Sequence, residues 1–195
     1  MAKRAEVSIT GLKKNEVTIS IKGTAPLITH KWSEKAKRQM LDKQMKKAKS
    51  GKEAKDPEAD YLATIYFLED GKRTGFPAVG FKSAMVRAGK QLGYVMADLK
   101  GMFFVKPDEG DLVEIHGKHR LREDMVRIGM GTSDIRFRAE YPTWNADITV
   151  LYNSSAISAE ELAKLLEVAG FACGIGEWRP EKSASGSYGL FEIAN

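Results

Sequence analysis

Cysteine, histidine and long apolar runs are all scarce in this sequence of 195 residues. The one cysteine, Cys173, excludes an internal disulfide framework and any multi-cysteine metal site, and its apolar setting is typical of a buried, unreactive thiol. No apolar run approaches the ~20 residues that span a bilayer, and the first residues lack the apolar stretch of a signal peptide. We therefore expect a cytoplasmic protein of a prokaryotic or phage-infected cell, with no membrane contact, no metal and no cofactor.

Nucleotide-binding motifs are also missing. A dinucleotide fingerprint or a P-loop runs in the order strand, glycine loop, helix, because the phosphate rests on the helix N-terminus. Gly174-x-Gly176 has no third glycine to complete the fingerprint, and no G-x-x-x-x-G-K-[ST] segment occurs. Neither a Ser-His-Asp arrangement nor a paired-carboxylate motif can be identified, so we predict no catalytic residues.

Length and composition predict one globular domain over residues 1–195. The net charge of +5 permits an acidic partner. Residues 31–55 hold ten Lys and Arg against three acidic residues, a local charge of +7, so the remainder is near −2. Such a segment either contacts phosphates or forms a solvated surface.

The segment Gly174–Gly189, the Gly-rich loop, combines four glycines and three serines with Trp, Tyr, Arg and Lys. Glycine lets the backbone approach another molecule closely and leaves N–H groups free to face an anion. The polar side chains add phosphate donors, and the aromatic rings offer stacking faces. We predict that the loop binds a nucleic-acid backbone through Gly174, Gly176, Trp178, Arg179, Lys182, Ser183, Ser185, Gly186, Ser187 and Tyr188. The alternative is a turn that only connects two elements.

Apolar periodicity predicts the order of the secondary structure. The elements of the central plan are a strand at 16–22, a helix at 79–90, strands within 102–115, a strand at 147–152, a helix at 158–169 and a strand at 189–194. This β-α-β-β-α-β order is that of ferredoxin-like and RRM-like domains, an α+β fold with an antiparallel sheet. Residues 5–10 and 61–68 read as further strands, and Ser158 to Glu161 as a capping box.

Two insertions carry most of the remaining positive charge. A basic helical insertion at about 31–60 begins with a helix from Ser33, its N-cap, to about Ala48. The apolar stripe that should face the core consists of Trp32, Ala36, Met40, Leu41, Met45 and Ala48. Lys43, Lys46 and Lys47 on the other faces should contact phosphates. An Arg-rich β-hairpin insertion at about 116–140 should clamp a strand with Arg120, Arg122, Arg127, Arg136 and Arg138. Alternatively these arginines pair with Glu123, Asp124 and Asp134.

Three stretches resemble the RAMP superfamily, the CRISPR proteins that grip guide RNA. Its backbone subunits commonly carry I-P-G-S-S-L-K-G-x-x-R at the start of the first helix. Phe76–Arg87 is similar and retains Pro77, Lys82 and Arg87, with Val79-Gly80 in place of the two serines. The Gly-rich loop and the Thr24–Ile28 turn also look like the family's. The resemblance adds Lys82 and Arg87 to the predicted nucleic-acid contacts.

The resemblance implies a non-catalytic protein that coats a guide RNA or another single strand, as a repeated subunit of a filament or effector complex. Its partners would be single-stranded RNA or DNA, copies of itself and other subunits of the complex. A phage or plasmid protein that coats single strands is equally compatible. Two alternatives stay open: a RAMP-type RNA endonuclease that uses His30 or a metal-binding Asp, and a viral structural or inhibitory protein that mimics this fold and binds protein. His116 and His119 are the only close histidine pair and show no third metal ligand.

Overall fold

Ten strands and five α-helices make up the part of the chain that the computed structural model describes, residues 11–47, 55–128 and 131–194. The strands are β1 (Lys14–Gly23), β2 (Leu27–Thr29), β3 (Tyr66–Phe67), β4 (Thr74–Pro77), β5 (Phe103–Lys106), β6 (Leu112–Glu114), β7 (Arg120–Ile128), β8 (Thr132–Tyr141), β9 (Asn145–Asn153) and β10 (Phe191–Ile193). The α-helices are α1 (Glu34–Gln44), α2 (Pro57–Leu62), α3 (Ala78–Ala88), α4 (Met96–Met102) and α5 (Ala159–Val168). A 3-10 turn (Gly89–Leu92) continues α3, and a π-helical turn (Ala169–Cys173) continues α5.

The central sheet has the strand order β10-β1-β9-β5, and every neighbouring pair is antiparallel. Helix α3 lies between β1 and β5 along the chain, and α5 lies between β9 and β10. The last strand of the β-α-β-β-α-β plan thus pairs with the first, and the third lies between the first and the second, which is the ferredoxin-like arrangement. The predicted fold class, an α+β domain with an antiparallel ferredoxin-like sheet, is confirmed.

Helices α3 and α5 cover one face of the central sheet. Ile148 and Val150 on β9 are fully buried, because alternate strand residues point to the same face. Phe81 on α3 meets Phe191 on β10 edge to face, with 6.2 Å between the ring centroids. The predicted capping box starts α5: the Glu161 amide donates to Ser158 Oγ at 3.2 Å, and the Ser158 amide donates to the Glu161 carboxylate at 2.8 Å. The core therefore lies between this sheet and two helices.

Two smaller sheets flank the central one. Strand β2 pairs with β8, and β8 pairs with β7 in the long hairpin predicted for the Arg-rich segment. Strands β3, β4 and β6 form the third sheet, with the predicted turn at Glu69–Lys72 joining β3 to β4. Within the described ranges, no helix combines the length and the apolar character needed to cross a membrane.

The segment before β3 differs from its prediction. Residues 61–68 were expected to form one strand, but Tyr61 and Leu62 belong to helix α2 and β3 is limited to Tyr66–Phe67. Asp56 causes this, because its carboxylate accepts hydrogen bonds from the amides of Glu58 and Ala59, both at 3.1 Å, and Pro57 fits the first helical turn. Helix α4 was not predicted either. The expected strand at 5–10 lies outside the described residues.

Helix α1 also differs from its prediction. Ser33 caps it as expected, with its hydroxyl accepting from the Ala36 amide at 3.2 Å. The apolar stripe does not face the core, however: no residue of α1 is buried, and Met40 and Leu41 are 50% and 54% exposed. Helical periodicity shows that apolar residues share a face, but it does not show what that face meets. The predicted end, Ala48, lies outside the described residues.

Two leucine-to-alanine variants test this correction. Leu41→Ala should change the free energy of unfolding by no more than about 0.5 kcal/mol, because the side chain is exposed. Leu165→Ala, the same substitution at a fully buried position of α5, should lower it by about 2–5 kcal/mol. Urea denaturation measures both, and a comparable loss in the two variants would show that α1 belongs to the core.

Candidate nucleic-acid interface

The Gly-rich loop packs against β2 through main-chain hydrogen bonds. The Glu177 amide donates to the Ile28 carbonyl at 2.9 Å, and the Gly189 amide donates to the Pro26 carbonyl at 2.8 Å. A Cβ atom on Gly176 would lie 2.5 Å from the Ile28 carbonyl oxygen, and one on Gly189 would lie 1.8 Å from that of Ile175. Glycine at these positions is required for contact within the chain, whatever else the loop binds.

This packing corrects one reason for predicting a phosphate-binding loop, its supposed free amides. Many amides of the loop already donate to carbonyl oxygens of the chain: those of Gly174, Ile175, Glu177, Glu181, Lys182, Ser183, Gly186, Tyr188 and Gly189. The loop is therefore a folded structural element and not an open cradle of unpaired amides. What it offers a ligand is mainly its side chains, among which Lys182, Ser185 and Ser187 are exposed.

Glu181 of the Gly-rich loop binds two arginines, Arg179 of the same loop and Arg87 of helix α3. Its carboxylate lies 3.0 Å from Arg179 Nε and 2.6 Å from an Arg87 guanidinium nitrogen. Arg179 also donates to the Gly176 carbonyl at 2.9 Å and is only half exposed, so it mainly holds the loop in shape. The Arg87 side chain remains 54% exposed, so it keeps donors available at the surface.

Two cavities flank the outward side of α3. One of about 270 Å³ lies between α3 and the Gly-rich loop and is lined by Gly174 and Gly176 among others. The other, of about 340 Å³, lies between α3 and α4 and is lined by Lys82, Arg87 and Lys100 among others. Val79 and Ser83 line both, so the two cavities are neighbours, and we call the surface that they form together the α3 groove.

The α3 groove is positive. Glu181 is the sole acidic side chain among the described residues that line it. Lys82 Nζ donates to the Lys100 carbonyl at 2.9 Å and lies 3.7 Å from the centroid of the Phe104 ring. Burial lowers the pKa of the Lys82 ammonium. The N-terminus of α3 has no side-chain cap, so the positive end of the helix dipole also faces this region. Sequence reasoning missed Lys100 because α4 was not predicted.

The arginines of the β7–β8 hairpin are largely engaged with acids. Arg138 is 3% exposed and lies 3.2 Å from Asp124, so its predicted contact with a strand is wrong for this structure. Arg120 and Arg122 both bind the buried Glu140 carboxylate, at 2.6 and 2.8 Å. Burial favours the neutral form of Glu140, but these hydrogen bonds outweigh it and lower the pKa of the carboxyl group. The alternative of internal pairing therefore applies to these three arginines, with Glu140 as the partner that sequence reasoning missed.

Two hairpin arginines are less engaged. Arg127 is exposed and has no ion-pair partner among the described residues, and Arg136 lies 3.9 Å from Asp134 at the limit of an ion pair. Lys43 on helix α1 and Lys46 and Lys47 just after its end are exposed, and Lys47 lies 2.9 Å from Asp42. None of these residues lines the α3 groove.

The loop and the hairpin meet at His30. Burial lowers the pKa of the His30 imidazole from its ordinary 6.5, and the positive charges of Arg138, Arg136 and Lys182 lower it further, while Glu177 opposes them. These charges come from β8 and from the Gly-rich loop, so His30 lies between the two. Nearby, the Arg122 guanidinium lies 4.8 Å from the centroid of the Tyr188 ring. We call His30, Arg136 and Lys182 the loop–hairpin seam.

Other potential chemistry is limited in the part of the chain that the structure describes. No group of three or more His, Cys, Asp or Glu side chains there is arranged to hold a metal ion. Cys173 is buried, and burial raises the pKa of its thiol. His119 lies against Tyr61, with its Nδ1 and the tyrosine hydroxyl in hydrogen-bond contact.

Comparison with known proteins assigns no family to the chain. No family model matches it, and no curated protein matches it. Among solved structures, the crystal structure of Cmr6 from Pyrococcus furiosus is similar, with a TM-score of 0.46 and 11% sequence identity over 94% of this chain and 100% of that chain. Because this likeness is weak, the function has to be inferred from the geometry of the site.

Two glycine-to-alanine variants test the close packing within the Gly-rich loop. Gly189 and Gly71 share a φ of +65°, but a Cβ atom would meet Ile175 at Gly189 and nothing within 4 Å at Gly71. Gly71→Ala should lower the free energy of unfolding by about 1–2 kcal/mol, the cost of a left-handed alanine. Gly189→Ala should lower it by clearly more than that, as measured by urea denaturation. Equal losses would mean that the loop does not pack as described.

The lowered pKa of His30 predicts a pH dependence of stability. The pKa of His30 is 6.5 in the unfolded chain and lower in the folded protein. Between these two pH values the unfolded chain binds more protons at His30, so the free energy of unfolding rises with pH across that window. The contribution of neutral His30 to the free energy of unfolding is complete above pH 6.5. It is lost as the pH falls through the lowered pKa of His30 in the folded protein. His30→Gln should remove this contribution and flatten the profile measured by urea denaturation. Identical profiles for the variant and the natural protein would contradict the placement of His30.

Proposed function

We propose that this chain is a non-catalytic protein that binds single-stranded nucleic acid along the α3 groove and the loop–hairpin seam, and that it coats the strand as a repeated subunit. The observation that carries the proposal is the α3 groove itself. It is a surface on which Lys82, Arg87 and Lys100 outnumber the one lining acid, Glu181. Cations arranged along a groove bind the phosphates of a strand whatever its bases.

The lining of the groove fits backbone contact better than base readout. Besides the cations it offers the hydroxyl of Ser83 and the main chain at Gly174 and Gly176. Serine hydroxyls, lysines and main-chain groups are typical partners of phosphate and sugar, and such contacts carry no sequence information. A protein with this kind of groove can bind any stretch of a strand, which is what coating requires.

The loop–hairpin seam extends the positive surface on the other side of the Gly-rich loop. Lys182 is exposed and Arg136 is half-buried, and the positive charges of both act on His30. Tyr188 offers an aromatic ring, but one face of it already lies close to Arg122. The seam therefore supplies mainly charge, and the Gly-rich loop lies between two positive regions.

The open face of the central sheet is less suited to a strand. Its central strands β1 and β9 pair Thr18 with Thr149 at 3.0 Å and Ser20 with Asp147 at 2.6 Å. Two of its lysines are matched by acids, with Lys106 at 3.2 Å from Glu16 and Lys22 at 3.0 Å from Glu192. Domains that stack bases on such a sheet use aromatic side chains, and this face has none on β1 or β9. The helix and loop side is therefore the binding side.

Two double variants distinguish these surfaces. Lys82→Glu with Lys100→Glu should weaken the binding of a single-stranded oligonucleotide at least about tenfold, because two phosphate contacts are lost and repulsion replaces them. The slope of log affinity against log salt should fall by about 0.7 for each lost contact. Fluorescence anisotropy across a salt series measures both quantities for RNA and DNA oligonucleotides.

The matched control reverses the same number of lysines on the open sheet face, Lys22→Glu with Lys106→Glu. This control should bind with nearly natural affinity, since those lysines lie outside the α3 groove. Loss of binding in the control and not in the groove variant would place the strand on the sheet. Absence of salt-dependent binding in the natural protein would refute the proposed function.

A further inference from the structure

Trp32 lies at the surface beside a cavity that the function proposed above does not use. Its side chain is 55% exposed, although its position in an apolar stripe predicted a place in the core. The cavity has a volume of about 410 Å³, within the size range of small-ligand sites. An exposed tryptophan at the edge of a cavity of that size indicates a binding surface.

The lining of this cavity combines three kinds of chemistry. Leu62, Ile65 and Phe67 supply an apolar wall from α2 and the residues after it. Lys31 and Lys35 supply positive charge, and Glu34, Asp56 and Asp60 supply carboxylates. Glu34 is occupied by Lys37, whose Nζ lies 2.6 Å from its carboxylate. Asp56 is occupied in capping α2, whereas the Asp60 carboxylate has no hydrogen bond or ion pair among the described residues. An aromatic face, an apolar wall and an available acceptor therefore lie together.

We propose that this cavity, the Trp32 pocket, binds a nucleobase of a single strand, an inference that rests on the proposed function. The Trp32 ring stacks on the base, as exposed aromatic side chains do in proteins that bind single strands. Asp60 accepts a hydrogen bond from an exocyclic amino group of the base, and Lys31 lies near its phosphate. Lys37 is the nearby cation, with its Nζ 5.9 Å from the centroid of the Trp32 ring.

The Trp32 pocket is within reach of the Gly-rich loop. Ile28 accepts a hydrogen bond from Glu177 of that loop, and Trp32 follows Ile28 by four residues, a span of at most about 14 Å. The Lys31 amide donates to the Thr64 carbonyl at 3.0 Å, which anchors the segment. His30, in the loop–hairpin seam, lies on the way. A strand that leaves the loop along the seam therefore meets Lys31 and Trp32 next.

A protein partner would use a different part of this region. Met40, Leu41 and Met45 form the rest of the exposed apolar stripe on α1, and none of them lines the Trp32 pocket. A docked helix or a second copy of the chain would bury these side chains, whereas a nucleobase in the Trp32 pocket would leave them exposed. Variants of Met40 and Trp32 therefore separate the two kinds of partner.

The test compares Trp32→Ala, Trp32→Phe and the control Met40→Ala in fluorescence anisotropy. The probes are a natural single-stranded oligonucleotide and one of equal length whose residues are abasic. Trp32→Ala should weaken binding of the natural oligonucleotide about 5- to 150-fold, and by the same factor at every salt concentration, because stacking and not charge is lost. It should leave binding of the abasic oligonucleotide unchanged. Trp32→Phe should restore much of the affinity, and Met40→Ala should bind like the natural protein.

Each outcome decides the inference. Natural affinity of Trp32→Ala for the base-containing oligonucleotide would overturn it, and so would an equal loss with the abasic one. If Lys82→Glu with Lys100→Glu loses binding while Trp32→Ala keeps it, the proposed function is supported and base binding in the Trp32 pocket is refuted. If the natural protein binds neither probe, the proposed function and base binding in the Trp32 pocket are both refuted. A change in oligomeric state in Trp32→Ala, measured by analytical ultracentrifugation with no loss of binding, would indicate a protein contact and also overturn the inference.

Discussion

The contact between the Gly-rich loop and β2 is the constraint on which the rest of the candidate site depends. Two main-chain hydrogen bonds, from Glu177 to Ile28 and from Gly189 to Pro26, join the end of the ferredoxin-like plan to the hairpin sheet. Gly176 leaves no side chain between the two segments, and Gly189 leaves room for the close approach of Ile175 within the loop. With the loop fixed there, the α3 groove lies on one side of it and the loop–hairpin seam on the other.

Charge pairing then decides which cations remain available. Glu140 and Asp124 engage three hairpin arginines, and Glu181 binds Arg87 and Arg179. A buried carboxylate that binds two guanidinium groups is a structural element, because the carboxylate would be an uncompensated charge without them. The positive surface that a strand could use is therefore smaller than the number of arginines suggests. It consists mainly of Lys82 and Lys100 near α3, Lys182 of the Gly-rich loop and Lys31 next to Trp32.

Local sequence signals predicted the elements whose stability is local. The capping box at Ser158, followed by apolar residues at helical spacing, located α5, and alternation located β1 and β9. Where a local signal was overlooked the prediction failed: Asp56 followed by Pro57 is a helix start, and α2 begins there. The candidate site was predictable only as a set of residue types. Lys82, Arg87 and the Gly-rich loop were identified, but Lys100 and the exposure of Trp32 were not.

The sequence by itself determined the β-α-β-β-α-β order, the Arg-rich hairpin and the concentration of positive charge in residues 31–55, because periodicity, caps and charge are properties of neighbouring residues. Only the tertiary structure decided which arginines are neutralised, whether the loop amides are free, and whether the apolar face of α1 is covered. These depend on partners far apart in the chain, such as Arg122 with Glu140 and Gly189 with Pro26. A linear pattern holds no information on such distances, so the same residues could have formed an open cradle or, as here, a closed structural loop beside a positive groove.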